Sequence, residues 1–334
     1  MTSLTNTQSE TNQLRRLASN YFDDQPIAIT KCNGGIINTT YKLQLPSGQQ
    51  YILQRLSTLF TPDTILDFQK VAIHLHRAEW PVQQVVPAKN GSLWCRDVSG
   101  GLWRMLSYID GTDAPDPMST AQLHEVGALL ARLHIDLHKL NYQPRFTLKH
   151  FHDTAFYRQA LAKVHTALPT PKLRELSKSC LMAYAELREL PPAEPQLIHG
   201  DPRTTNILFR DKHPVCYIDF DALMYHSPWT DIGDLLRSIN GSNNQITALF
   251  SIKRTAALMQ GYYSINSSIA PTFQVCMERA LCSMRLISIE LAMRFLTDVV
   301  KDIYFDWDTE LFANRRDNNI ARAQAQWNIY ESSM

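Results

Sequence analysis

The chain has 334 residues, 44% of them hydrophobic, and sets 33 Lys and Arg against 32 Asp and Glu for a net charge of +1. That length exceeds the roughly 100–200 residues of one typical domain, so two lobes around a cleft are expected. Balanced charge, with no basic block and no aromatic-basic stripe, argues against nucleic acid or an anionic membrane as partner and leaves a small molecule.

Residues 1–20 are a polar N-terminal segment in which the first part reads as frayed and a short helix follows to Tyr21 or Phe22. A β-rich stretch then begins. Ile27–Lys31, Thr39–Leu45 and Tyr51–Arg55 are predicted strands separated by the turn signals Asn33-Gly34-Gly35 and Pro46-Ser47-Gly48, which together predict a small antiparallel sheet. Gly34 and Gly35, with Asn38 nearby, lie where a glycine-rich loop lets backbone N–H groups approach nucleotide phosphates; a plain hairpin turn is the alternative. From Pro62 to Arg77, apolar Ile65, Leu66, Phe68, Val71, Ile73 and Leu75 recur as on a helix packed against that sheet.

Leu93–Trp94 and Leu102–Ile109 are the next apolar, strand-like runs, the second carrying Met105 and Ser107 toward Tyr108–Thr112, a linker whose backbone would hold adenine. The proline-containing run Asp113–Pro117 supports a boundary, so a nucleotide-binding lobe over 21–112 and a helical lobe over 113–334 are expected. Ser119 and Gln122 make a capping-box signature, and Leu123, Val126, Leu130, Leu133 and Leu137 follow at helical spacing. His134 and His138 share one face of that helix; with no third ligand in view they read as ordinary helix histidines rather than a metal site. Phe151–His165 and Lys172–Glu189 read as further helices, and Thr272–Val300 as a long apolar helix or helix pair. The last carries Glu290, Arg294 and Asp298 at four-residue spacing, which suits either an intrahelical ion-pair ladder or a substrate-binding arginine at the cleft.

The chemistry concentrates in Leu197–Asp221, LIHGDPRTTNILFRDKHPVCYIDFD, where two apolar runs each deliver acidic or amide side chains to a turn. Asp201 follows His199 and Gly200, Asn206 comes five positions later, and Asp219 ends the apolar run Val215–Ile218. This matches the His-x-Asp-x-x-x-x-Asn catalytic loop and the metal-binding Asp of phosphoryl-transfer enzymes. Such chemistry needs one carboxylate to orient and deprotonate the attacking hydroxyl, here Asp201, and oxygen ligands to hold Mg2+ against ATP phosphates, here Asn206 and Asp219. Asp and Asn are also common turn residues, so a polar hairpin is the bland account; the joint occurrence, in order, of His199-Gly200, Ile207-Leu208-Phe209 and Ile218-Asp219-Phe220-Asp221 outweighs it. Downstream, the acidic residues and Arg237 in Trp229–Arg237 either brace this loop or simply enrich a helix N-terminus in Asp. The third strand has no Lys for the usual Lys–Glu pair and reads Ile52-Leu53-Gln54-Arg55, so either Arg55 substitutes or the α and β phosphates are held another way.

The Leu197–Asp221 stretch resembles the aminoglycoside phosphotransferase and choline kinase superfamily. Several other segments look closer to its bacterial N-acetylhexosamine 1-kinase branch: Gly34–Tyr41, Tyr51–Arg55, Trp103–Met105, Phe151–Thr154, Arg294–Asp298, Asp302–Phe305 and Ala321–Gln326. The resemblance implies an α+β, bilobal protein-kinase-like fold with a small antiparallel β-sheet N-lobe and a mainly helical C-lobe. It implies ATP-dependent phosphorylation of the anomeric hydroxyl of a sugar such as N-acetylglucosamine or N-acetylgalactosamine. Asp201 would be the base, Asn206 and Asp219 the Mg2+ ligands, Gly34, Gly35, Arg55, Met105 and Ser107 nucleotide-side residues, and Asn38, Arg294 and Tyr304 acceptor-side residues. Another small acceptor, an amino alcohol, homoserine or an aminoglycoside, is the alternative within enzymes, and a nucleotide-binding pseudokinase module the alternative outside them. A protein kinase is disfavoured, since Asp219-Phe220-Asp221 replaces Asp-Phe-Gly and no Ala-Pro-Glu follows.

Cys32, Cys95, Cys180, Cys216, Cys276 and Cys282 are scattered without a Cys-x-x-Cys pair, a spacing that fits reduced thiols. The start, MTSLTNTQSETNQ, lacks the apolar core of a signal peptide, and no apolar run of about 18 residues predicts a spanning helix. A soluble, cytoplasmic protein is expected.

Overall fold

The structure is a computed structural model that describes residues 2–32, 37–187, 191–242 and 245–334. The chain divides into two compact units, Met1–Asp110 with Pro144–Leu148, and Gly111–Gln143 with Lys149–Met334.

The first unit comprises α1 (Thr2–Ala18), β1 (Ala28–Lys31), β2 (Thr39–Gln44), β3 (Gln50–Arg55), α2 (Pro62–Arg77), β4 (Val85–Val86), β5 (Cys95–Arg96) and β6 (Leu102–Ser107). Its antiparallel sheet runs β1-β2-β3-β6-β4, with β5 also paired to β6. Period-two alternation sorts the two faces. Tyr41, Leu53 and Met105 are register partners and form a core with Leu14, Leu17 and Ala18 of α1. The chain start expected to fray is therefore a helix that continues into that core. One residue out of phase, Gln54 and Arg104 pair on the other face, where the Arg104 guanidinium lies 4.8 Å from the ring centroid of Phe68 on α2. Pro62 opens α2, where a missing N–H costs nothing, and the buried Asp67 accepts from the backbone N–H groups of Arg145 (3.1 Å) and Phe146 (2.9 Å). Those two bonds tie the returning segment to this unit.

The second unit comprises β7 (Thr112–Asp113), α3 (Thr120–Leu140), α4 (Thr154–Val164), α5 (Pro171–Leu187), β8 (Gln196–Ile198), β9 (Ile207–Arg210), β10 (His213–Tyr217), β11 (Met224–His226), α6 (Pro228–Ile239), α7 (Ile252–Ile265), α8 (Phe273–Lys301) and α9 (Arg315–Ser332). The capping box forms as expected: Ser119 accepts from Gln122 N–H while the Gln122 side chain accepts from the Ser119 backbone. The Thr272–Val300 pattern is one helix, α8, and it packs against α4, α5, α6 and α9. Its residues Ile289, Met293, Phe295 and Leu296 share a core with Leu173 and Cys180 of α5 and with Ala323 and Tyr330 of α9. Strands β7, β9 and β10 form one small sheet and β8 with β11 another, and these present the loops that bear the candidate residues Asp201, Asn206 and Asp219. The result is an α+β molecule with an antiparallel-sheet N-terminal unit and a mainly helical C-terminal one.

Candidate active site

Strand β8 ends at Ile198, and the chain turns at Gly200, whose φ is +85°. An added Cβ there would sit 2.1 Å from the Ala222 carbonyl oxygen, so glycine is required by both conformation and space. Asp231 of α6 holds the turn from below. Its Oδ2 accepts from His199 N–H (2.9 Å) and its Oδ1 from Gly200 N–H (2.9 Å), while His134 Nε2 lies 3.0 Å from Oδ2. His134 Nδ1 in turn meets the Tyr262 hydroxyl at 2.8 Å. Burial pushes the Asp231 carboxyl up, but the His134 hydrogen bond first and the Gly200 N–H with it hold it below the usual carboxylate value. His134 is thus a buried brace on an aspartate, in keeping with the plain reading of it as a helix histidine.

His199 is itself fully buried, and burial depresses its pKa and keeps the ring neutral. Its partners set the tautomer: Nε2 faces the Ile218 carbonyl at 3.0 Å and so carries the proton, while Nδ1 accepts from Asp201 N–H at 3.3 Å. The ring thereby links the backbone of the two acidic turns.

The candidate base and the candidate metal ligands are brought together. Asn206 Nδ2 donates to the Asp201 carbonyl (2.9 Å) and to Asp201 Oδ2 (3.2 Å), and Ile218 N–H donates to the Asn206 carbonyl (2.9 Å). Asp219 follows directly, in the left-handed region at φ 65°, ψ 60°. That turn interrupts the strand and re-aims the carboxylate-bearing residue. Arg203, two residues past Asp201, places Nε 3.2 Å from Asp201 Oδ2, and its pKa is raised first by Asp201, against burial, and then by Asp219 and Asp234. The sequence reading did not assign Arg203 a role; its position just past the base was the available signal.

With Nδ2 committed to Asp201, Asn206 retains its amide oxygen, and Asp219 adds a carboxylate, a hard-oxygen pair that fits Mg2+. Among the described residues no cluster of three or more His, Cys, Asp or Glu could hold a metal alone. Mg2+ characteristically uses one or two carboxylates and substrate phosphates, so the pair suits an ion that arrives with a nucleotide.

Arg294 lies in a different setting of the same unit. Its guanidinium is ringed by Tyr157 (4.9 Å), Phe151 (5.3 Å), Phe305 (5.5 Å) and Tyr304 (5.6 Å), and its Nη2 donates to the Tyr304 hydroxyl at 3.3 Å. Burial opposes the charge, yet Tyr157, Tyr304 and Glu290 outweigh it and hold the group firmly protonated. Glu290 Oε1 is 3.8 Å from Arg294 Nη1 and 3.6 Å from His152 Nδ1, and His152 Nε2 lies 2.8 Å from the Gly200 carbonyl. A side-chain path therefore runs from Arg294 to the turn at Gly200. Asp298 does not continue a ladder: its carboxylate accepts from the N–H groups of Ile303, Tyr304 and Phe305 and from Asn319 Nδ2.

The nucleotide-side candidates belong to the first unit, except that Gly34 and Gly35 lie outside the described residues. Arg55 is half exposed, ion-paired to Asp97 (3.6 Å), and lines a concavity of about 400 Å³ with Thr39, Ser57, Arg96 and Gly101. The buried cation on the sheet is instead Arg104, which donates to Gln54 Oε1 from Nε (2.9 Å) and Nη2 (2.6 Å). Met105 is fully buried in the sheet core, Ser107 Oγ accepts from Gln84 N–H (2.8 Å), and Asn38 Oδ1 accepts from Ser57 N–H (2.9 Å).

An antiparallel-sheet unit followed by a helical unit bearing an Asp-x-x-x-x-Asn loop and a left-handed Asp defines a protein-kinase-like fold. A model of the phosphotransferase enzyme family matches residues 28–263, and the chain belongs to that family. Among solved structures it is similar to the amicoumacin kinase hAmiN in complex with AMP-PNP, Ca2+ and Ami, with 16% identity and a TM-score of 0.66 over 99% of this chain and 96% of that one. It is also similar to the spectinomycin phosphotransferase APH(9)-Ia in complex with ADP and spectinomycin (12% identity, TM-score 0.60, 96% and 93% covered). A choline/ethanolamine kinase family protein from Mesorhizobium loti gives 17% identity and a TM-score of 0.60 over 98% and 96%. At these identities the likeness is one of fold. No described helix is long and apolar enough to cross a membrane.

Proposed function

We propose that this phosphotransferase moves the γ-phosphoryl group of ATP to the anomeric hydroxyl of an N-acetylhexosamine or a related sugar. Asp201 accepts the hydrogen bond of the acceptor hydroxyl and takes its proton as the phosphorus–oxygen bond forms. The Asn206 carboxamide fixes the Asp201 carboxylate, and Asp231, through two backbone N–H groups, fixes the turn that bears it. Asn206 and Asp219 would hold Mg2+, which supplies charge neutralisation on the nucleotide phosphates. Arg203 adds a fixed positive charge beside the base, suited to the charge spread over the transferring group.

One observation carries the choice of acceptor. An enzyme that takes a quaternary ammonium uses an aromatic cage, and the cage of Phe151, Tyr157, Tyr304 and Phe305 is filled by the chain's own Arg294. An arginine so held offers hydrogen-bond donors to oxygens and repels a cation, which favours a sugar over choline. A second reading, a nucleotide-binding module without turnover, is favoured by the Gln54–Arg104 pair where active kinases use Lys with Glu.

The test is phosphorus NMR after incubation with ATP, Mg2+ and a panel of N-acetylglucosamine, N-acetylgalactosamine, choline, homoserine and an aminoglycoside. A sugar phosphate signal split by an anomeric proton is expected. Phosphorylation of choline or homoserine instead would overturn the sugar assignment, and nucleotide binding with no product from any acceptor would favour the non-catalytic module.

A further inference from the structure

The peptide unit that leads into Asp201 has little of its own to fix it. A peptide plane turns through ψ of the residue before it and φ of the residue after, and the residue before is Gly200, at φ +85° and without a Cβ to restrict it. Both polar groups of that unit are nevertheless bound. Its N–H, that of Asp201, donates to His199 Nδ1 at 3.3 Å, and its carbonyl, that of Gly200, lies 2.8 Å from His152 Nε2. His199 belongs to the local motif, whereas His152 stands 48 positions before Gly200.

His152 is held in one orientation. A carbonyl only accepts, so Nε2 carries a proton and donates it. The side chain is 4% exposed, and its backbone sits in the left-handed region at φ +56°, a conformation that surrounding structure must impose on a histidine. The next residue, Asp153, caps α4 by accepting from Phe156 N–H at 3.0 Å and meets His150 Nδ1 at 2.9 Å. Behind the ring, Glu290 Oε1 of α8 is 3.6 Å from His152 Nδ1, while Glu290 Oε2 accepts from Thr154 Oγ1 at 2.7 Å. Helices α4 and α8 thus jointly aim one N–H at one carbonyl.

From this geometry we propose that His152 is a positioning residue of the phosphoryl transfer, which with His199 clamps the Gly200–Asp201 peptide from both sides and so sets the aim of the Asp201 carboxylate. The N–H and carbonyl of one peptide point in opposite directions, and a bond on each removes the rotation that the glycine would otherwise permit. The Asp201 side chain leaves directly from the end of that unit, so its direction follows the peptide plane. The inference rests on the reading of Asp201 as the base and adds what aims it. A merely structural tie between α4 and the turn would show in stability and in the binding of both substrates; an aiming role shows in kcat.

Three substitutions test it in the full chain, with ATP, Mg2+ and whichever acceptor the phosphorus NMR panel shows to be turned over. His152→Asn suits the left-handed backbone, but its shorter amide stops short of the Gly200 carbonyl; His152→Phe keeps the ring and lacks the donor; His152→Gln carries an amide nitrogen out to the reach of Nε2. The Asn and Phe variants should lower kcat about 10- to 100-fold, the effect of a misaimed group, with the KM of ATP and of the acceptor within about 2-fold of wild type, and the Gln variant should recover kcat to within about 3-fold. An unchanged kcat in the donorless variants, a Gln variant no faster than the Asn variant, or a loss confined to KM would overturn the positioning role. Thermal melting accompanies the kinetics, and failure of both donorless variants to fold would overturn it in favour of a structural tie. If Asp201→Asn is inactive while the donorless variants keep full kcat, the positioning role falls and the base reading stands; full turnover in Asp201→Asn, or none in the wild type, overturns both.

Discussion

Asp201 stands between two neighbours that constrain it, the Asn206 carboxamide and the Arg203 guanidinium. Because a positioned general base contributes about 100- to 10,000-fold, Asp201→Asn should lower kcat by that factor, roughly 3–5 kcal/mol of transition-state stabilisation, with the ATP KM nearly unchanged. Steady-state kinetics on whichever acceptor is turned over decides it, and full turnover in the variant would remove Asp201 from the mechanism. Asp231 acts differently, since it touches only the backbone beneath the turn and His134. Replacing a buried, fully engaged carboxylate with alanine leaves three donors unmatched, and Asp231→Ala should destabilise the fold by about 3–5 kcal/mol in urea denaturation. A loss below about 1 kcal/mol would contradict that brace. At this scale the sequence marked the candidate base and both candidate metal ligands, because their spacing is local. Arg104 and the partner of His134 were not legible: each depends on a residue from 50 to 97 positions away.

Helices α3 and α7 cross where each offers a glycine. A Cβ on Gly127 would lie 1.9 Å from the Leu258 carbonyl oxygen, and one on Gly261 would lie 1.8 Å from the His124 carbonyl oxygen. The same crossing delivers Tyr262 to His134 and so supports the Asp231 brace. Gly127→Ala, although it favours an isolated helix, should therefore lower the melting temperature and cost about 1–3 kcal/mol through forced separation of the helices. An unchanged or raised melting temperature would show that the crossing tolerates a methyl group. The elements themselves followed their patterns closely: α2 runs from Pro62 to Arg77 as its apolar spacing predicts, and β3 ends at Arg55. Helix α9 escaped because its mean pattern is polar; its buried amides look like surface residues until the α8 loop is folded over them.

For the molecule as a whole, one buried and one half-buried histidine, His199 and His226, set the acid limit. Burial depresses the pKa of both His199 and His226 below 6.5, the ordinary histidine value, with the His152 charge adding to the effect at His226. Both rings stay neutral in the fold while the unfolded chain takes up protons as pH falls through about 6.5. Their contribution is therefore complete above that pH and is lost progressively below it. The depressed carboxyl of Asp231 adds a second loss only when pH falls below its ordinary value of 3.8. Melting temperatures measured from pH 7.5 to 5 should fall on the acid side, and His199→Asn should flatten part of that fall; equal slopes in both proteins would exclude His199 as a source.

Chain-local chemistry alone determined the phosphoryl-transfer motif, the antiparallel sheet, the long helices and the absence of disulfide spacing, because each is written in residues a few positions apart. Tertiary packing decided the rest. Arg294 spans only one turn from Glu290 in sequence, yet whether it pairs in a ladder or sits inside four aromatic rings depends on Phe151 and Tyr157, which the fold brings from α4 and its approach. Asp298 likewise turns from ladder member to loop anchor, because contacts between distant segments outweigh the spacing that first suggested its role, and Arg55, a nucleotide-side candidate by its place on β3, is ion-paired to Asp97 from a distant turn.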